Sequence, residues 1–160
     1  MTDDPRAEFD TETAAYDREV LAHPIPAQST ISSLIEGFHT ITGKLAQIAG
    51  AGSTAKALSL RQALVGLDAA RDILVKVAHG ADDAALKQYQ KQMNALRDER
   101  IATANALLAA NAGQYAPFTA KFRQSAQDIR ATIAKAKQSA AALGVTADLL
   151  TAAGNLMAVV

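Results

Sequence analysis

An all-α fold is predicted by three features of this 160-residue sequence. Thirty-seven residues are alanine, the best helix former and a residue depleted in strands. Tryptophan is absent, and phenylalanine and tyrosine number only four and three, so the aromatic side chains that sheets favour are scarce. Apolar residues recur at steps of three and four rather than alternating, which is the helical period. The pattern excludes all-β and α/β architectures. It predicts an antiparallel up-down bundle of four long helices, flanked by a short N-terminal helix or arm and a short C-terminal helix. The length suits one domain that buries its core without disulfides or metal.

The first boundary is His23-Pro24-Ile25-Pro26, since each proline removes a donor and moves the preceding residue out of helical space. Residues 1–28 before and around it read as an acidic arm or short helix, roughly 7–21, with Phe9, Tyr16, Val20 and Leu21 to bury; residues 29–160 read as the bundle domain. Over 29–49, Ile31, Leu34, Ile35, Phe38, Ile41, Leu45 and Ile48 form one stripe, capped by Ser29 or Thr30 and ended by Gly50-Ala51-Gly52-Ser53. A second helix is expected over 54–78 on Leu60, Leu64, Leu67, Leu74 and Val77, ended by His79-Gly80. Asp82 or Asp83 should cap a third helix to about 112, with Leu86, Tyr89, Met93, Leu96, Ile101, Ala104, Leu107 and Leu108 inward. After a turn at 113–117, a fourth helix is expected to run unbroken to Leu143 on Phe118, Phe122, Ala126, Ile129, Ile133, Ala136 and Ala140. Gly144 closes it, and Thr146 caps a last helix carrying Leu149, Leu150, Ala153 and Leu156.

Sixteen basic residues balance sixteen acidic ones, so no global field draws in nucleic acid or an anionic membrane. The sign is nevertheless uneven. Residues 1–28 hold seven acids against Arg6 and Arg18, whereas 113–160 hold five bases against Asp128 and Asp148; like charge along one helix reads first as a solvated face, and second as an acidic start facing a basic later helix in the same chain or in a partner. The broken, acidic first twenty residues do not read as a secretory signal, and 138–160 lack the Leu, Ile and Phe density of a membrane span. The expected compartment is the cytoplasm, with no transmembrane segment.

Zero cysteine removes thiolate metal sites and cysteine nucleophiles. Glu36-Gly37-Phe38-His39 has the Glu-x-x-His spacing of di-iron bundles, but that chemistry needs a second such pair and further inward glutamates, and the chain has five glutamates in all. Neither glycine-rich nucleotide motif occurs. No metal, no cofactor and no nucleic-acid partner are expected, and the chain is expected not to be an enzyme.

One stretch stands out. Phe38-His39-Thr40-Ile41-Thr42-Gly43-Lys44 resembles the histidine box of histidine phosphotransfer domains, in which a helical histidine relays a phosphoryl group. His39, Thr40, Ile41 and Gly43 match, while Thr42 stands at the lysine position and Lys44 follows two residues later. The resemblance implies His39 as phospho-acceptor, with Gly43 leaving it uncovered and Lys44 screening the phosphate. In composition, the alanine-rich amphipathic helices also resemble granule-binding phasins, which implies a coat on an apolar inclusion. The leading expectation is a non-enzymatic helical module, an adaptor, regulator or antagonist that binds a protein partner or its own copies. Leu149, Leu150, Leu156 and Met157 are its candidate interaction surface.

Overall fold

A computed structural model describes residues 4–25, 57–110 and 114–160. Their regular elements are helices: α1 (Pro5–Ala22), α2 (Leu60–Ala78), α3 (Asp83–Ala110), α4 (Ala120–Gln138), α5 (Ala140–Leu143) and α6 (Ala147–Met157). Extended pairing among the described residues amounts to an isolated bridge between Ser59 and Gln114. The helix expected over 29–49 lies outside them.

Asp4 starts α1 by accepting the Arg6 N–H at 3.1 Å, and Pro5 takes the first helical position, where its missing donor costs nothing. The helix is two residues longer at its start than the sequence pattern suggests. It lies along α3 and buries Phe9 and Tyr16 in the common core. Burying a side chain the size of Phe9 contributes about 1.5–3 kcal/mol, which is how a helix with few apolar residues stays docked. Leu21, expected inward, is 82% exposed.

α2 begins at Leu60 rather than near Thr54, because Ser59 and Gln62 form a reciprocal capping box. Its predicted stripe, Leu60, Leu64, Leu67, Leu74 and Val77, is buried throughout. Gly80, at φ +80°, turns the chain toward α3. Asp82 caps that helix by accepting the Ala85 N–H at 2.8 Å.

The inward face of α3 departs from the apolar pattern in its C-terminal half. Leu86, Tyr89, Met93, Leu96 and Ala104 are buried as expected, but Leu108 is 70% exposed, and Glu99, Arg100 and Thr103 are fully buried. Ile101 and Leu107 are half-buried. Successive residues turn by about 100° around a helix of 3.6 residues per turn, so Leu108 falls about 90° from the centre of the face formed by Met93, Leu96, Arg100, Thr103 and Ala104 and lies at its edge.

α4 starts at Ala120, capped by the Thr119 hydroxyl, which accepts the Phe122 N–H at 3.2 Å. Phe118 precedes the helix and is 43% exposed, a correction to its expected place in the core. The helix stops at Gln138, and Ser139 separates it from the single turn α5, so the expected run to Leu143 is interrupted. Gly144 adopts the left-handed conformation at φ +70° and Thr146 caps α6, both as expected. α6 packs closely on α2, where a β-carbon at Gly66 would come within 2.7 Å of Leu156 Cβ.

Candidate functional site

Among the described residues, two clusters of charged side chains lie inside the helical core. In the first, Glu99 projects from α3 into the segment that leads to α4. Its carboxylate accepts the Tyr115 hydroxyl at 2.6 Å, the Phe118 N–H at 2.9 Å, the Thr119 N–H at 2.9 Å and the Thr119 hydroxyl at 2.9 Å. A carboxylate at the start of α4 also meets the positive end of that helix dipole. Burial, followed by the bond to Glu99, raises the Tyr115 pKa well above the ordinary tyrosine value. The same segment is tied to the chain before α2 by the Tyr115 N–H, which donates to the Leu58 carbonyl at 2.7 Å.

In the second cluster the fully buried Arg100 donates to Asp68 Oδ1 at 2.9 Å and to the His23 carbonyl at 2.9 Å. The Tyr16 hydroxyl donates to the same Asp68 oxygen at 2.6 Å. Burial first, then the Asp68 charge, raises the Tyr16 pKa. Asp68 therefore joins α1, α2 and α3 at one point. Beside it, Arg71 donates to Asp17 at 2.8 Å and Asp72 at 2.9 Å. Burial lowers the Arg71 pKa, but those two partners outweigh it and raise it overall.

Two acids of the N-terminal helix meet bases in cis on the middle helices. Asp17 pairs with Arg71 of α2 and Glu12 with Arg97 of α3. On α4, Lys121 pairs instead with Asp98 of α3 at 2.8 Å.

Outside these clusters an open groove of about 790 Å³ runs over α3 between α1 and α4. Glu8 and Glu12 line its α1 wall, Lys121 and Ser125 its α4 wall, and Lys87, Gln88, Lys91 and Asn94 lie along α3. Asn94 links the two walls, donating to Glu12 at 3.2 Å and accepting from Lys121 at 2.6 Å. The groove therefore carries the ammonium groups of Lys87, Lys91 and Lys121 and the carboxylates of Glu8 and Glu12. Among the described residues no group of three or more His, Asp or Glu side chains could hold a metal. No helix among them is long and apolar enough to cross a membrane.

The sequence-predicted site residues divide by location. His39, Gly43 and Lys44 lie outside the described residues, so the phosphoryl-relay expectation stands on the sequence resemblance. Leu156 and Met157 are buried within the chain, while Leu149 and Leu150 are half-buried against the same core. The Leu156–Met157 part of the expected interaction surface is therefore used in docking α6. Sequence patterning missed Glu99, Arg100 and the groove. The signal available for the first two was their place one turn beyond Leu96, on the inward face of a helix whose apolar stripe is otherwise regular.

No family model matches the chain, and no curated protein and no solved structure is significantly similar to it.

Proposed function

We propose that the chain is a non-enzymatic helical protein-interaction module, an adaptor, regulator or antagonist acting in the cytoplasm. In this reading it is an antiparallel up-down bundle of four long helices. The reversal at Gly80 between α2 and α3, and the pairing of Lys121 with Asp98 and of Lys135 with Tyr89 between α3 and α4, support the alternating directions.

The observation that carries the functional reading is the division of labour among charged groups. Glu99, Arg100 and Asp68 are bonded to neighbouring helices and loops within the chain, which fits a scaffold role. Lys87 and Lys91, exposed and without an ion pair among the described residues, line an open, shallow groove, which suits contact with another macromolecule better than enclosure of a reacting small molecule. Affinity capture of the tagged chain from its native cell, followed by quantitative mass spectrometry, tests this. A partner retained in near-stoichiometric amount is expected. Recovery of the chain alone, across a range of salt, contradicts the reading.

A further inference from the structure

α3 carries four basic side chains, Lys87, Lys91, Arg97 and Arg100. Arg97 is paired with Glu12 of α1, and Arg100 with Asp68 of α2. The seam toward α4 is likewise closed by an acid–base pair, Asp98 with Lys121. Each neighbour of α3 is thus held in part by a carboxylate meeting a base across the helix boundary. Lys87 and Lys91 are the exceptions: among the described residues neither has an ion pair or hydrogen bond, and both are exposed along the groove.

Their spacing of four residues puts both ammonium groups on one side of α3, one helical turn apart. A partner helix lying in the groove with carboxylates four positions apart would repeat the mode by which this chain docks its own helices. Glu8 on the α1 wall would favour a basic residue on that side of the partner. It would also disfavour a uniform polyanion such as nucleic acid, by like-charge repulsion. We infer that the α1–α3–α4 groove is the docking site for an acidic helix of a partner protein, its carboxylates paired with Lys87 and Lys91. The inference rests on the interaction-module reading and names the surface and the partner chemistry within it.

The test is fluorescence anisotropy of the full chain with a labelled alanine-based helical peptide bearing glutamates four positions apart and lysines on the flank. Saturable binding is expected at about 0.1 M salt, weakening as salt rises. Lys87→Glu with Lys91→Glu should weaken it by about tenfold or more, as loss of both pairs implies. A peptide with lysine in place of the glutamates should bind the charge-reversed chain in preference to the wild type. The milder pair Lys87→Gln and Lys91→Gln, with helicity checked by circular dichroism, covers the case in which charge reversal perturbs folding. Failure of the wild type to bind the acidic peptide, or equal binding by wild type and variants, overturns the inference. A dimer seen by sedimentation and lost in the double variant would identify a second copy as the occupant and overturn the separate partner. Stoichiometric capture of a native partner, undiminished by the double substitution, removes the groove while leaving the module reading in place.

Discussion

The Tyr115 hydroxyl donates to Glu99 Oε2 at 2.6 Å, with Tyr115 only 3% and Glu99 0% exposed. This bond joins α3 to the segment that enters α4, and the carboxylate goes on to accept two backbone N–H groups and the Thr119 hydroxyl. Glu99→Ala would leave those donors buried without an acceptor. A loss of about 2–4 kcal/mol is expected, since charged acceptors contribute more than neutral ones and each orphaned donor adds a penalty. Tyr115→Phe removes one of the bonds and should cost less, about 1–2 kcal/mol. Urea unfolding monitored by circular dichroism measures both, and equal effects would show that the Thr119 end of the network contributes nothing.

Gly66 and Gly154 make opposite predictions from the same residue type. A β-carbon at Gly66 would come within 2.7 Å of Leu156 Cβ and 3.0 Å of the Ala152 carbonyl oxygen. Gly66→Ala must therefore separate α2 from α6 and should cost about 1–3 kcal/mol by overpacking. At Gly154 nothing lies within 4 Å of the added carbon, so Gly154→Ala should stabilise by up to about 1 kcal/mol through helix propensity. A shift of the two midpoints in the same direction would contradict the α2–α6 crossing.

The corrected face of α3 is tested by Leu108 and Met93. Met93 is fully buried and Leu108 is 70% exposed. Met93→Ala should cost about 2–5 kcal/mol, and Leu108→Gln should stay within about 0.5 kcal/mol. On α4, Phe122→Asp places an unpaired charge at a fully buried position and should abolish cooperative unfolding.

These cases also show what the sequence made legible. Caps and turns were readable because their causes are local: Asp82, Thr146 and Gly144 act on backbone within a few residues. The stripe of α2, and Phe122, Ala126, Ile129 and Ala136 of α4, were readable because apolar type and burial coincide there, whereas in α4 Thr132 is buried and Ile133 only half-buried. The Ser59–Gln62 capping box was present in the sequence pattern and marks the true start of α2. Glu99 and Arg100 were hidden because their burial depends on donors and acceptors far along the chain, Tyr115 and Thr119 for one and Asp68 for the other. Phe118 and Leu108 misled because large apolar residues also occupy the surface. The groove could not be read from periodicity, since it is defined by how α1 and α4 lie across α3.

Alkaline stability follows from the two buried tyrosines. Both hydroxyls titrate above the ordinary value of 10.0 in the folded chain, by burial first, then by the Asp68 charge for Tyr16 and the bond to Glu99 for Tyr115. The unfolded chain releases these protons at lower pH than the folded one. The contribution is therefore fully present below about pH 10 and falls as pH rises beyond it toward the folded-state values. Denaturation at about pH 8 and about pH 11 should show a steeper loss in the wild type than in Tyr16→Phe/Tyr115→Phe. Equal slopes would show that neither hydroxyl is held in its neutral form by the fold.

The claim that outward-facing charge on a rigid helical scaffold carries the function is tested most directly by lysine-reactive cross-linking of the chain captured with its native partner. Lys87, Lys91 and Lys121 line the groove, whereas Lys137 lies exposed near the end of α4, outside that lining. Cross-links to the partner concentrated at Lys87, Lys91 and Lys121, and sparse at Lys137, are the predicted result. A partner linked mainly through Lys137, or no partner cross-linked at all, would contradict it.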